Sequence, residues 1–168
     1  RNHYISYFPS LTNYENFLKA TNKSAGFILA FVQYQLYLNR LRCTENEFYV
    51  DSTPVTVCEN RYISSHKVTK GFASRGKSTK GWFFGFKLQG VCTADGTLVR
   101  LCFRPGKEHD SQAFADITEG LEGTFVTDAG YLLKEDDLKE MFDSGRKPCT
   151  ATRKNMRRML TKEQFQLL

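Results

Sequence analysis

The stretch EFYVDSTPVTVC, residues 47–58, decides how this chain reads. An apolar run, residues 48–50, delivers one carboxylate, Asp51, to a point where Ser52, Thr53 and Pro54 are expected to stop a strand, because proline cannot donate to a sheet ladder. The stretch GTFVTDAGY, residues 123–131, repeats the device: residues 124–127 lead to Asp128, and Ala129 and Gly130 close the run. Two carboxylates at the ends of two strands, with basic and aromatic residues between them in the chain, suggest a site that holds divalent metal against a phosphodiester.

Outward from these strands the chain alternates. Residues 12–20 and 25–41 read as helices separated by Asn22, Lys23 and Ser24, with Leu29, Val32, Leu36 and Leu38 near helical spacing. After the strand ending at Asp51, residues 52–81 form a Ser/Thr/Gly/Lys-rich connection with little regular pattern. Residues 82–93 and 97–104 are expected to be long strands, and Asp95-Gly96 between them is a hairpin signal. Trp82, Phe83, Phe84 and Phe86 are assigned to the core. Asp110 or Ser111 is placed to cap a helix over residues 112–121, and Gly123 releases the chain into a strand ending at Asp128. A helix over 134–142, a short strand over 149–152 and a helix over 155–168 complete the pattern.

The order strand, strand, strand, helix, strand, helix, strand predicts an α/β fold of the ribonuclease H-like (retroviral-integrase-like) class. Three antiparallel strands are extended by parallel ones into a mixed sheet with flanking helices, preceded by a short helical N-terminal segment. Residues 1–45 are read as that segment, the rear part of a DNA-binding domain, and residues 46–168 as the core. In this topology the ends of the first and fourth strands lie side by side, so Asp51 and Asp128 would meet. Neighbouring carboxylates repel unless a cation sits between them. Magnesium or manganese suits an all-oxygen site, and two such ions about 4 Å apart can activate an attacking oxygen and stabilise a leaving one at phosphorus.

Composition sets bounds. At 168 residues the chain has room for about one domain, and with 40% hydrophobic and 25% charged residues it is an ordinary globular sequence, which excludes disorder. Five widely spaced cysteines, none in a C-x-x-C pair, are read as reduced buried thiols in a reducing, cytoplasmic compartment. The longest apolar run, residues 25–38, is interrupted by Gln33 and Gln35 and falls short of the roughly 20 residues a membrane span needs, so no span and no signal peptide are expected. The chain opens on Arg1, and a fragment of something longer is expected.

Charge is clustered. The net charge is +6, and between Arg61 and Lys87 seven Lys or Arg residues occur with no acid among them. Of these, Lys67, Lys70, Arg75, Lys77 and Lys80 are interleaved with Ser and Thr, which suits phosphate contacts independent of sequence. A second basic cluster, Arg146 to Lys162, ends the chain, and the acidic counterweight lies between Glu108 and Asp143.

Five motifs in order, DSTPV (51–55), GWFFGFKLQGV (81–91), GKEHDS (106–111), DAGY (128–131) and TRKNM (152–156), give nearly the whole chain from Tyr4 onward a resemblance to the DDE transposases of bacterial insertion sequences. The resemblance implies catalytic and metal-binding roles for Asp51 and Asp128, with magnesium or manganese, two ions in the complete enzyme. It implies contacts of Arg153, Lys154, Asn155, Arg157 and Arg158 with the DNA backbone near the metals, and it places His109 and Asp110 beside the site. Tyr131 is read either as a partner for a phosphate or a metal-bound water or as a packed turn residue. The implied reaction is metal-dependent hydrolysis at a transposon end followed by attack of the freed 3′-hydroxyl on target DNA, in the bacterial cytosol. Family members are expected to act as multimers on paired ends, although no residue identifies an interface. The third acid of the family is a glutamate beyond a K/R-R-x-x-V/I-E run. No such run occurs before Leu168, so the chain is expected to stop short of it, with Glu163 as the remaining candidate. A catalytically inactive DNA-binding remnant and a nuclease of the same fold stay open as alternatives.

Overall fold

The computed structural model describes residues 12–151. Two helices come first, α1 (Tyr14–Lys23) and α2 (Ala25–Arg42), broken only at Ser24. Asn13 caps α1, its side chain accepting from the Asn16 amide at 2.8 Å. The remaining elements are β1 (Glu47–Cys58), β2 (Ser74–Ser78), β3 (Gly81–Thr93), β4 (Leu98–Pro105), α3 (Asp110–Ile117), β5 (Gly123–Thr127), α4 (Glu135–Asp143) and β6 (Arg146–Thr150).

The strand order is β2-β3-β1-β5-β6, with β4 also paired to β3. β3 runs antiparallel to β1, β2 and β4, whereas β5 is parallel to β1 and β6 is parallel to β5. This mixed sheet with its helices has the ribonuclease H-like arrangement expected from the sequence. β2 and β4 pair with successive halves of β3, residues 81–85 and 86–92. The hairpin expected at Asp95-Gly96 forms: Gly96 has φ +85°, and the Asp95 carboxylate accepts from the Thr97 amide at 2.9 Å.

One face of the sheet carries the core. Phe48 of β1 stacks on Phe125 of β5 with ring centroids 5.2 Å apart, and Phe114 of α3 meets both Phe125 and Tyr131 edge-on. Val50, Val91, Ile117 and Met141 fill in around them. Helix α2 lies against β4: the Asn39 amide donates to the Leu98 carbonyl at 2.8 Å, and Arg40 donates to the Gly120 carbonyl. Of the residues of α2 only Leu36 is buried, while Phe27 and Phe31 are 84% and 64% exposed.

Several expectations need correction. β1 does not stop at Asp51 but runs on to Cys58, because β3 continues to pair with it as far as Cys58↔Phe84 after β5 has left it at Val50. Pro54 is tolerated there because no strand flanks β1 on the β5 side at that level. The connection thought irregular contains β2 and a short 3₁₀ turn, Asn60–Tyr62. Asp110 does not cap α3: His109 holds the cap position, its amide donating to Gln112 at 3.3 Å, and Asp110 is the first helical residue. Trp82 is 61% exposed rather than core, and Lys77 lies over its ring at 5.8 Å. Of the five cysteines Cys149 is buried, while Cys43, Cys58, Cys92 and Cys102 are only partly buried and form no disulfide. Among the described residues no helix is long and apolar enough to cross a membrane. Arg153, Lys154, Asn155, Arg157, Arg158, Glu163 and the helix expected over 155–168 lie outside the described residues.

Candidate functional site

The parallel pairing of β1 with β5 ends at Val50↔Thr127. The next residues on the two strands are Asp51 and Asp128, so the two carboxylates emerge side by side at one end of the pair, both exposed. Each is aimed by a local backbone bond. Asp51 Oδ1 accepts from the Ser52 amide at 2.7 Å, and Asp128 Oδ1 accepts from the Gly130 amide at 2.8 Å as the chain turns into a 3₁₀ segment, Ala129–Tyr131.

A third carboxylate stands beside them. Asp110 Oδ1 accepts from three side chains: Ser52 Oγ at 3.0 Å, Lys87 Nζ at 3.1 Å and Gln89 Nε2 at 3.2 Å. These donors come from β1 and β3, and the cross-strand pairing Ser52↔Gln89 puts two of them opposite each other. Gly130 separates Asp110 from Asp128. A Cβ there would sit 3.0 Å from Asp128 Oδ1 and 3.3 Å from Asp110 Oδ2, so a side chain at this position would crowd both carboxylates.

Two buried polar atoms next to these acids lack partners among the described residues, Gln89 Oε1 and the Tyr131 hydroxyl. Gln89 and Tyr131 are each 1% exposed. Ser52 lies beside the Tyr131 hydroxyl, but its own proton is committed to Asp110. Burial pushes the phenol well above its ordinary value, the negative charge of Asp110 adds to this, and Asp51 and Asp128 push the same way against the opposing effect of Ser52.

The donor set is oxygen throughout, which fits magnesium or manganese. Unpartnered oxygens beside carboxylates fit a hydrated cation. Among the described residues no three Asp, Glu, His or Cys side chains are close enough together to hold a metal, so Asp110 does not complete a cage with Asp51 and Asp128.

The basic residues read from the sequence lie along the same sheet. Beyond Asp51, β1 continues for seven residues to Cys58, which is opposite Phe84, which in turn is opposite Arg75 of β2. At about 3.3 Å per residue this strand extension reaches roughly 20 Å from Asp51. Arg75 and Lys77 are exposed on β2, on either side of buried Gly76, and Lys80 is exposed in the turn that follows. Lys67, Lys70, Arg75, Lys77 and Lys80 make no ion pair among the described residues, whereas Arg61 is paired with Glu59 and Lys87 with Asp110.

Of the residues brought together here, Asp51, Asp128, Asp110 and Tyr131 were named from the sequence. His109 holds the cap position of α3, one residue before Asp110. Ser52, Lys87 and Gln89 were missed as site residues. The signal was present in GWFFGFKLQGV, where Lys87 and Gln89 fall on the same alternating face of the strand as buried Phe83 and Val91.

No curated protein and no solved structure matches the chain. Residues 42–168 match the family described as Transposase DDE domain, a span that holds β1 to β6 with Asp51 and Asp128, and the chain belongs to that family.

Proposed function

We propose that this chain is a DNA transposase catalytic core that uses divalent metal to cleave transposon-end DNA and to join the freed 3′-hydroxyl to target DNA. The observation that carries this reading is the emergence of Asp51 and Asp128 side by side where the parallel pairing of β1 and β5 ends. Magnesium or manganese held there would supply charge for an in-line displacement at phosphorus. Asp51 and Asp128 are the residues to hold it, each with Oδ1 fixed by a backbone amide and Oδ2 receiving no hydrogen bond from a described residue. In the first step water opens a phosphodiester and leaves a 3′-hydroxyl. In the second that hydroxyl forms a new ester bond with a target phosphate, and the target's own 3′-oxygen departs.

The unpaired cations at 67, 70, 75, 77 and 80 are proposed to grip the backbone of the duplex beyond the reacting phosphate, and Arg153, Lys154, Asn155, Arg157 and Arg158 to grip it near the metals. Glu163 is carried as the candidate third acid, and residues 1–45 as the rear of a DNA-binding unit. The partners are then transposon-end and target duplexes in the bacterial cytosol, engaged by multimers on paired ends.

The test is a nicking and strand-transfer assay on transposon-end duplex with magnesium or manganese, run beside a duplex-binding measurement. Asp51→Asn and Asp128→Asn should each abolish cleavage and leave binding nearly intact. Lost binding with unchanged cleavage would overturn the assignment, and duplex binding without cleavage in the unaltered chain would favour the DNA-binding remnant.

A further inference from the structure

The bonds around Asp110 are lopsided. Three donors converge on Oδ1, although a carboxylate oxygen has only two lone pairs, while Oδ2 receives none from a described residue. Oδ2 instead faces Gly130 and, across it, Asp128. The side chains of Asp110 and Lys87 are 19% and 13% exposed, so the pair is largely shielded from water. Oδ1 takes every bond that ties α3 to the sheet, which leaves Oδ2 available to a donor from outside the protein.

The same bareness recurs at two neighbours. The Gln89 amide is oriented by its bond to Asp110, since turning it over would set its oxygen against a carboxylate oxygen. That orientation leaves Oε1 buried and unpaired, and the Tyr131 hydroxyl is buried and unpaired as well. Three oxygens without donors among the described residues thus lie on β3, on α3 and on the turn after β5, with Asp110 linking them to the neighbourhood of Asp128. Buried polar atoms are nearly always satisfied, so the two buried and bare ones, Gln89 Oε1 and the Tyr131 hydroxyl, close to an Asp110 carboxylate with a free Oδ2, point to something that supplies hydrogens. A hydrated divalent cation does this, because its water ligands are strong donors and magnesium in particular keeps several of them.

We propose that Asp110, Gln89 and Tyr131 form an outer ring of oxygen acceptors for the hydration of a divalent cation held by Asp51 and Asp128, and that Lys87 is a fixed positive charge that holds Asp110 in place and weakens the cation's binding. The inference rests on the reading of Asp51 and Asp128 as metal-holding residues and extends it to side chains that do not touch the metal. Asp110, Gln89 and Tyr131 are positioning residues in this scheme, consistent with the absence of a three-carboxylate cage among the described residues.

Asp110→Asn and Lys87→Met break the same ion pair, so a purely structural role predicts that both move metal affinity in the same direction or not at all. The proposal predicts opposite signs. Calorimetric titration of the full 168-residue chain with manganese should show binding weakened on the order of tenfold by Asp110→Asn and tightened several-fold by Lys87→Met, from the loss of one negative and one positive charge near a divalent ion. Tyr131→Phe removes only an unpartnered hydroxyl, so it should fold, and it should weaken binding by a smaller factor. Asp51→Asn is the control for the underlying reading: if it leaves manganese affinity unchanged, the metal site itself is wrong. If Asp51→Asn abolishes binding while Asp110→Asn and Lys87→Met shift it the same way or leave it alone, the outer ring is wrong and the metal site stands. If either charge variant fails to fold, as judged by circular dichroism, Tyr131→Phe decides the matter, with unchanged affinity overturning the proposal.

Discussion

At Tyr131 the ring and the hydroxyl have different surroundings. Its ring is packed against Phe114 at 5.6 Å and belongs to the core, yet its hydroxyl is buried without a partner among the described residues. A buried unpaired hydroxyl costs about 1–3 kcal/mol, so Tyr131→Phe should stabilise the metal-free protein by about 1 kcal/mol, read as a higher Tm. The phenol also makes stability depend on pH. Its folded value is raised above the ordinary value near 10, chiefly by burial and then by Asp110. A raised folded value means that the contribution is fully present below the unfolded value and is lost as pH rises from there toward the folded one. The phenylalanine variant should therefore lose less stability than the parent between neutral and strongly alkaline pH, and identical alkaline profiles would show that the phenol is not buried as described. The sequence placed Tyr131 three residues after Asp128 but left its role open between packing and ligand contact. The structure packs the ring into the core and leaves the hydroxyl buried beside Ser52.

At the scale of elements, the informative strand is β2, which hydropathy did not reveal because its sequence, SRGKS, contains no large apolar residue. Its existence depends on β3, which pairs with it over residues 81–85, and on glycine. A Cβ at Gly76 would sit 2.2 Å from the Gly106 carbonyl oxygen, so only glycine lets the end of β4 pass this close. The strand holds Arg75 and Lys77 exposed at the edge of the sheet, with Lys77 over the Trp82 ring. If these residues grip phosphate, Lys77→Ala with Lys80→Ala should lower the slope of log K against log salt by about 0.9 for each phosphate that the two lysines neutralise. An unchanged slope would place the duplex elsewhere. The longer reach of β1 has a similar origin: Pro54 looked like a strand terminator, and only the presence of β3 on one side and the lack of a strand on the other make it acceptable.

For the whole molecule, stability is concentrated where β1, β5 and α3 meet. Phe125 is fully buried between Phe48 and Phe114, so Phe125→Ala should cost about 3–5 kcal/mol in denaturant unfolding. Phe27, by contrast, is 84% exposed on α2, and Phe27→Ser should change stability by no more than about 0.5 kcal/mol. Equal losses from the two would mean that α2 packs in a way the exposure does not show. The sequence by itself determined the element order apart from β2, the Asp-Gly hairpin and the side-by-side placing of Asp51 and Asp128, because each rests on local signals: alternation of apolar residues, turn chemistry and the position of a carboxylate after an apolar run. It also pointed to the DDE transposase family, whose model residues 42–168 match. What only the tertiary structure decided is the company those aspartates keep. Ser52, Lys87, Gln89 and Asp110 come from three elements and meet through strand pairing and the docking of α3. No local pattern encodes that meeting, because it depends on which faces the sheet turns inward and on the close passage that Gly130 allows between two carboxylates.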